Sequence, residues 1–171
     1  MAVVVFDTSF LVPLLDPRVK GVGEVDAKLT HLIETLDRQK DVVIIPTPAL
    51  SEVLIGAGDA APQYLEILSK TPRFRIASFG PRAAVEAAER HRQAVRNKDK
   101  KEGTESWAKV KFDRQIIAIA QVEGAERIYS NDDDIFRFGK AEGFEVIRLQ
   151  DLPDPPEKTP DLFDKLKPER P

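Results

Sequence analysis

The sequence predicts an α/β fold in three layers, in which a central parallel sheet of about five strands lies between helices. Short apolar runs alternate with longer segments of helical periodicity along most of the chain, which is the pattern of successive β-α units. The run AVVV at residues 2–5 is apolar at every position, as expected of a strand that is buried on both faces. With 42% hydrophobic and 32% charged residues among 171, the composition is that of an ordinary globular domain.

The first half of the chain divides into three strands and the helices that connect them. After the first strand, Thr8 or Ser9 is placed to cap a short helix from about residue 10, and Pro13 begins a turn rich in proline and glycine. Apolar positions recur at helical spacing over 24–40, which predicts an amphipathic helix. The elements that follow are predicted as strand 42–45, helix 49–57, helix 62–69 and strand 74–79.

The second half supplies two more strands and ends in a segment of different composition. A helix is predicted from Gly80-Pro81 to about residue 96, then a charged connection over 97–103 and a regular helix over 105–122 that Gly124 ends. Strands are expected at 127–130 and 144–149. The chain is therefore divided into a domain, 1–149, and a proline-rich charged tail, 150–171, which we expect to be extended and to lie on the body or on a partner.

The residue inventory excludes several classes of function. The chain has no cysteine, so disulfides, thiolate catalysis and cysteine-type zinc sites are excluded. Its two histidines, His31 and His91, lie in charged helical segments and are interpreted as surface residues. No apolar run approaches the length of about 20 residues that a membrane span needs. The N-terminus also lacks the pattern of a signal peptide, and the protein is therefore expected to be cytoplasmic and free of membrane.

The net charge of -3 is unevenly distributed along the chain. Residues 90–114 contain nine Lys and Arg against four Asp and Glu. Such a local excess of positive charge favours a polyanion as a partner. These basic residues are equally well interpreted as a solvated helix face and loop.

Carboxylates follow two of the predicted strands directly. Asp7 ends the first strand, and Asp132, Asp133 and Asp134 come after the fourth. The carboxyl ends of parallel strands meet at one edge of a sheet, which is where ligands bind in open α/β folds. Helix capping ahead of Ile135 accounts for one of the three later aspartates but does not require all of them.

Asp113 and Glu52 are the two other acids of interest. Asp113 lies in the middle of the apolar arc of its helix, where a lone carboxylate costs several kcal/mol unless a cation or hydrogen bonds compensate it. A pair with Arg114 or Arg82 is the structural alternative. Periodicity alone predicts that Glu52 is solvated, although its helix begins beside the same edge of the sheet.

Acids that gather at one edge of a sheet repel one another unless a cation is bound among them. Oxygen ligands without cysteine or a nearby histidine suit Mg²⁺ or Mn²⁺. Such an ion binds phosphate oxygens, activates water and stabilises the charge that develops in an in-line displacement. The predicted reaction is metal-dependent hydrolysis of a phosphodiester bond.

Four motifs in order carry a resemblance to a known family. They are VFDTS at 5–9, IPTPALSEVL at 45–54, FDRQIIAIA at 112–120 followed by Gly124-Ala125, and IYSNDDDI at 128–135. With these motifs the sequence resembles the PIN-domain ribonucleases, and within them the VapC-like toxins of toxin–antitoxin pairs. The motifs span residues 1–149 and leave the tail uncovered.

The resemblance implies a fold, an activity and a set of roles. It implies a PIN-like domain, an Mg²⁺- or Mn²⁺-dependent endoribonuclease acting on RNA as a type II toxin, a cognate antitoxin and a homodimer. The acidic quartet would be Asp7, Glu52, Asp113 and Asp132, with Asp134 as an auxiliary acid. We expect the ion to be bound by Asp7, Asp113 and Asp132, the acids to be oriented by Thr8, Ser9 and Ser130, and the RNA backbone to be contacted by Lys109, Lys111 and Arg114.

Three alternatives stay open on the sequence alone. One is a PIN nuclease that processes RNA without being a toxin, and another is a DNA nuclease or phosphatase that uses the same metal chemistry. The third is a binding module for phosphate or a structural ion, comparable to a receiver domain. That comparison expects a pair of acids after the first strand and a lysine after the last, whereas Asp7 stands alone and the first lysine after the fifth strand is Lys158.

Overall fold

A five-stranded parallel sheet forms the centre of the molecule in the computed structural model, which describes residues 1–16, 18, 23–96 and 107–156. The order of the strands across the sheet is β3-β2-β1-β4-β5, and every neighbouring pair is parallel. The predicted α/β fold with about five parallel strands is therefore confirmed. The strands are β1 (Val3–Phe6), β2 (Val42–Pro46), β3 (Phe74–Ala77), β4 (Arg127–Tyr129) and β5 (Glu145–Ile147).

Helices connect the strands throughout the part of the chain that the structure describes. The six helices with a predicted range lie within a few residues of it, whereas no range was predicted for the helix after β4. Short 3₁₀ turns at Gly58–Ala60 and Leu149–Asp151 are additional. The predicted connection at 97–103 and residues 157–171 of the tail lie outside the described residues. The helices are α1 (Thr8–Leu15), α2 (Gly23–Gln39), α3 (Thr47–Ala57), α4 (Ala61–Lys70), α5 (Pro81–Arg96), α6 (Trp107–Val122) and α7 (Asp133–Ala141).

The first helix begins earlier and runs longer than the sequence predicts. Asp7 is its N-cap, with extended backbone angles of φ -90° and ψ -179°, so the expected cap at Thr8 or Ser9 is wrong. The Asp7 carboxylate accepts a hydrogen bond from a backbone N–H of the first turn, so the helix can begin at Thr8 and include both residues. Pro13 lies inside α1 rather than in a turn, because buried side chains such as Phe10 hold this turn of helix against the sheet.

Aromatic packing holds the carboxyl end of β1 in place. Phe6 has no solvent exposure, and its ring centroid lies 5.6 Å from that of Phe10 and 5.1 Å from that of Tyr129. The β1 residues before it, Val4 and Val5, are also fully buried, as a strand covered on both faces requires. This packing therefore fixes the backbone at the end of β1 and with it the backbone of Asp7, the next residue.

The order of the strands creates a switch point between β1 and β4. The chain proceeds from β1 to β2 and β3 on one side of the sheet, and then returns to add β4 and β5 on the other side. Phe6 pairs with Tyr129 in the register of β1 and β4. The residues that follow these two, Asp7 and Ser130, therefore lie side by side at the edge where α/β folds bind ligands.

The first residues of the predicted tail pack against the domain. Leu152 is only 5% exposed, and Asp154 forms an ion pair of 3.3 Å with Lys28 of α2. The boundary at residue 149 stays a prediction. None of the helices in the described ranges is long and apolar enough to cross a bilayer.

Candidate acidic active site

Two serine hydroxyls fix the Asp7 carboxylate between α1 and the end of β4. Oδ1 of Asp7 accepts hydrogen bonds from the backbone N–H of Ser9 at 2.9 Å and from its hydroxyl at 2.6 Å, while Oδ2 accepts one from the Ser130 hydroxyl. The same hydroxyls accept hydrogen bonds from the backbone, Ser9 from Asn131 N–H at 2.8 Å and Ser130 from Asp132 N–H at 3.0 Å. Both serines therefore orient Asp7 and also join it to the aspartates after β4.

Burial makes the Asp7 carboxylate costly to ionise. The residue is only 3% exposed, and this burial raises its pKa from 3.8 to about 6, against the hydrogen bonds from Ser130, Ser9 and Phe10 that favour the charged form. Burial therefore favours the protonated form of Asp7 over a wider pH range than in an exposed aspartate.

Asp132 both caps a helix and faces the cleft. Its Oδ1 accepts the backbone N–H groups of Asp134 at 2.8 Å and Ile135 at 3.1 Å, which makes it the N-cap of α7. Its Oδ2 accepts a hydrogen bond from Lys109 Nζ at 2.7 Å. The capping interpretation is confirmed for this one aspartate, and it occupies only one of the two carboxylate oxygens.

Asp113 is buried on α6, and its cation partner is not the one expected. It is 6% exposed, and Lys109 Nζ lies 3.4 Å from its Oδ2. Lys109 precedes Asp113 by one helical turn and so reaches the same face, whereas the partners expected from the sequence were Arg114 and Arg82. Arg114 is instead 2.7 Å from the half-buried His91 Nδ1.

Three carboxylates form a compact cluster around the Lys109 ammonium. Asp113, Asp132 and Asp134 each contribute an oxygen, and these oxygens lie within 4.8 Å of one another. Lys109 Nζ is also 3.6 Å from Asp134 Oδ2, and Arg137 contacts the other oxygen of Asp134 at 3.0 Å. Acids from α6 and from the first turn of α7 therefore meet in one place.

The cluster shifts the ionisation of its members in opposite directions. Burial and then the charge of Asp132 raise the pKa of Asp113 to about 7, although Lys109 opposes this. Burial also raises the pKa of Asp132, but the hydrogen bond from Lys109 and the two from backbone N–H groups outweigh it and leave the pKa below its usual range. Burial lowers the pKa of Lys109, and its acidic neighbours more than compensate, so the net pKa is raised.

Glu52 reaches the same region from α3. Its side chain is exposed, as periodicity predicts, and its Oε2 accepts a hydrogen bond of 2.5 Å from the Thr8 hydroxyl. Thr8 also lies 3.5 Å from the Ala49 carbonyl oxygen. The contact between the start of α1 and α3 brings Glu52 towards Asp7, a placement that the periodicity of α3 could not predict.

Most of these residues line one open cleft of about 710 Å³, although Ser130 and Asp134 are not part of its lining. One stripe of α6, formed by positions 109, 112, 113 and 116, makes one wall, and α1 makes another. Lys111 is exposed on a different face and does not line the cleft. The polar lining consists of Asp7, Thr8, Ser9, Glu52, Lys109, Asp113, Asn131 and Asp132, and the apolar lining of Val12, Pro13, Phe112, Ile116 and Ile135.

The donor set of the cluster fits a hard divalent cation. Asp113, Asp132 and Asp134 offer only oxygen atoms at short mutual spacing, as Mg²⁺ and Mn²⁺ prefer. Burial and then the charge of Asp132 raise the pKa of Asp113, and a bound cation would favour its charged form. Asp7 lies in the same cleft with both oxygens accepting serine hydrogen bonds, and its direct ligation of the ion stays a prediction.

Two features of the structure were missed from the sequence. Lys109 was expected to contact the RNA backbone, whereas its ammonium group lies within the acid cluster. Its spacing of four residues from Asp113 on one helix could have indicated this contact. Asp41, only 2% exposed, accepts hydrogen bonds from Arg127 at 3.0 Å and from the Ala2 N–H at 2.7 Å. Asp41 lies at the opposite end of the strands and serves the fold rather than the site.

The sequence matches the PIN domain family over residues 4–141, which is most of the chain. The chain belongs to the PIN domain family. The resemblance seen in the four sequence motifs is thereby confirmed. Among curated proteins, none matches the sequence.

Solved structures of VapC toxins share the fold of this PIN domain. VapBC2 of Rickettsia felis, bound to a DNA fragment from its promoter, is 15% identical with a TM-score of 0.61, over 85% of this chain and 98% of that one. VapC20 of Mycobacterium tuberculosis, a toxin that cleaves the sarcin-ricin loop, is 20% identical with a TM-score of 0.55, over the same shares of 85% and 98%. DNA-bound VapBC of Salmonella typhimurium is 17% identical with a TM-score of 0.55, over 87% and 99%.

Proposed function

We propose that this PIN domain is a metal-dependent endoribonuclease and the toxin of a type II toxin–antitoxin pair. The observation that carries the proposal is the cluster of Asp113, Asp132 and Asp134 oxygens, of which Asp113 and Asp132 line the same cleft as Asp7 and Glu52. Membership of the PIN domain family and the shared fold of VapC toxins support the nuclease class.

Asp7, Asp113 and Asp132 would hold the ion. The oxygens of Asp113 and Asp132 lie within 4.8 Å of each other and of an Asp134 oxygen, and Asp7 is joined to Asp132 through Ser130. An Mg²⁺ or Mn²⁺ ion bound there supplies Lewis-acid stabilisation of charge on a phosphate and lowers the pKa of water.

Other groups of the cleft handle protons and position the acids. Ser9 and Ser130 hold the two oxygens of Asp7 in one orientation, which presents that carboxylate to the ion. Glu52, oriented by the Thr8 hydroxyl, accepts a proton from the attacking water at its carboxylate. Asp134 positions water at the edge of the cluster.

The lining of the cleft favours a nucleic acid with unpaired bases. Val12, Pro13 and Phe112 form an apolar part next to the acids, and Phe112 is 38% exposed. An exposed aromatic ring beside a phosphate site offers a stacking surface for a base. Exposed Lys111, with Arg114 nearby on α6, would contact the RNA backbone.

The partners follow from the same proposal. The VapBC structures with this fold are complexes that include an antitoxin and DNA, which supports a cognate antitoxin for this chain. A homodimer in the cytoplasm completes the proposed biological unit.

The proposal is tested by comparing substrates and one matched pair of variants. Purified protein with MgCl₂ or MnCl₂ is expected to cut single-stranded RNA, to lose activity in EDTA, and to leave DNA and a small phosphate ester intact. Asp113→Asn is expected to abolish cleavage. Asp133→Asn removes an acid that is 89% exposed and paired with Arg148 instead of Lys109, and it should keep activity.

Each contrary result points to a defined alternative. Equal activity in EDTA would refute metal dependence, and full activity of Asp113→Asn would refute the assignment of the site. Cleavage of DNA or of the phosphate ester in preference to RNA would replace the ribonuclease with one of the alternative metal-dependent enzymes.

A further inference from the structure

The ammonium group of Lys109 occupies the middle of the acid cluster. Its Nζ lies 2.7 Å from Asp132 Oδ2, 3.4 Å from Asp113 Oδ2 and 3.6 Å from Asp134 Oδ2. These three aspartates are also the ones whose oxygens lie within 4.8 Å of one another. One positive charge is therefore shared by the whole donor set of the candidate metal site.

A divalent ion and this ammonium compete for the same carboxylate oxygens. Mg²⁺ binds carboxylate oxygens at about 2.1 Å with a strict geometry, whereas an ammonium group donates hydrogen bonds of about 2.8 Å to the same lone pairs. Two cations within one cluster also repel each other. Binding of the ion therefore favours movement of the Lys109 ammonium away from the cluster.

The position of Lys109 on α6 allows that movement. The residue lies one helical turn before Asp113, on the stripe that lines the cleft, and its side chain is 34% exposed. A lysine has a flexible four-carbon stem, so its ammonium group can swing into the open cleft while the helix stays in place.

We propose that Lys109 is the built-in counterion of this site, which neutralises the acids in the metal-free protein and competes with the divalent ion for them. The inference rests on the metal site of the proposed function. It gives Lys109 a role that contact with the RNA backbone does not explain. Lys109 stabilises the metal-free site. Because the ion must compete with this ammonium, Lys109 lowers the affinity of the site for metal.

The test measures binding of Mn²⁺ alone by calorimetry, without substrate. Lys109→Gln removes the competing charge, so its Kd for Mn²⁺ is expected to fall by about tenfold, the scale of one charge-assisted hydrogen bond. Lys111→Gln removes an equal charge two residues away, outside the cleft, and should bind Mn²⁺ like the wild type. Lys109→Arg keeps a competing cation and should not bind Mn²⁺ more tightly than the wild type.

A second measurement follows the metal-free protein. In EDTA the Lys109→Gln variant is expected to melt about 2 to 4 °C below Lys111→Gln, because three carboxylates are left without their ammonium. Saturating Mn²⁺ should remove this difference. Equal melting of the two variants in EDTA would overturn the neutralising role.

The outcomes distinguish this inference from the proposed function. Equal or weaker Mn²⁺ affinity in Lys109→Gln, with metal-dependent cleavage intact, would overturn competition by Lys109 and leave the nuclease proposal standing. Absence of Mn²⁺ binding in both the wild type and Lys109→Gln would overturn both proposals.

Discussion

The substitution Asp7→Asn tests the electrostatics of the site through the stability of the metal-free protein. Asparagine has nearly the same shape as aspartate but carries no charge. Its Oδ1 can still accept the two hydrogen bonds that Ser9 donates, and the Ser130 hydroxyl can accept one from the amide. The substitution therefore removes the buried charge while keeping the packing around Phe6 and Phe10.

The pKa of Asp7 sets the size of the effect. Burial raises this pKa from 3.8 to about 6, and at about 1.4 kcal/mol for each tenfold change in proton affinity the rise corresponds to about 3 kcal/mol. Since the pKa is higher in the folded state, the folded protein binds more protons between these two values. The wild type therefore loses stability as the pH rises from about 4 to 6, and above that the loss is constant.

The assay is urea unfolding, followed by circular dichroism in EDTA, at several pH values from 4 to 7.5. We expect Asp7→Asn and the wild type to have equal free energies of unfolding at pH 4, and the variant to be more stable by about 3 kcal/mol at pH 7.5. Asp133→Asn changes the same charge at a side chain that is 89% exposed, and it should not stabilise the protein by a comparable amount at pH 7.5.

Two results would refute this reasoning. If Asp7→Asn were less stable than the wild type at pH 7.5, the serine hydrogen bonds to the charged carboxylate would outweigh its burial. If the difference were the same at every pH, ionisation of Asp7 would not be its cause. In either case Asp7 would be an ordinary capping residue of α1.

Three further predictions concern the cap, the apolar wall and a close contact of the sheet. Asp132→Ala should be about 1 kcal/mol less stable than Asp132→Asn in urea unfolding, because asparagine keeps the N-cap of α7; equal stabilities would contradict the capping role. Phe112→Ala should weaken binding of an uncleaved single-stranded RNA in EDTA by about tenfold, since base stacking contributes about 1 to 3 kcal/mol. The control Val85→Ala, at a 70% exposed residue of α5, should not change the affinity. Fluorescence anisotropy measures both affinities, and equal values for the two variants would exclude stacking on Phe112. Gly139→Ala should lower the free energy of unfolding by about 1 to 3 kcal/mol, because the added Cβ would lie 2.8 Å from Val146 Cγ2. The control Gly56→Ala adds a Cβ in open space and should be neutral or stabilising. Unchanged stability of Gly139→Ala would show that α7 can shift away from β5.

The fold and the location of the site were predictable because they depend on local patterns. Continuous apolar runs and helical periodicity reflect the surroundings of single elements, so the sheet and the helices appear near their predicted positions. An acid that directly follows a parallel strand must lie at the carboxyl edge of the sheet, and Asp7 and Asp132 do so. The apolar arc around Asp113 likewise predicted its burial, since the face of a helix is set by its period.

Contacts between elements were decided only by the tertiary structure. Three contacts depend on how α1, α3, α6 and α7 pack, to within an ångström or two. They are the ion pair of Asp113 with Lys109, the hydrogen bond of Thr8 to Glu52, and the approach of Asp134 to the cluster. The sequence by itself determined a parallel α/β domain with acids at one edge. The tertiary structure decided which of these acids share the Lys109 ammonium, because a side chain's partners depend on the distance and angle between elements that are far apart in the chain.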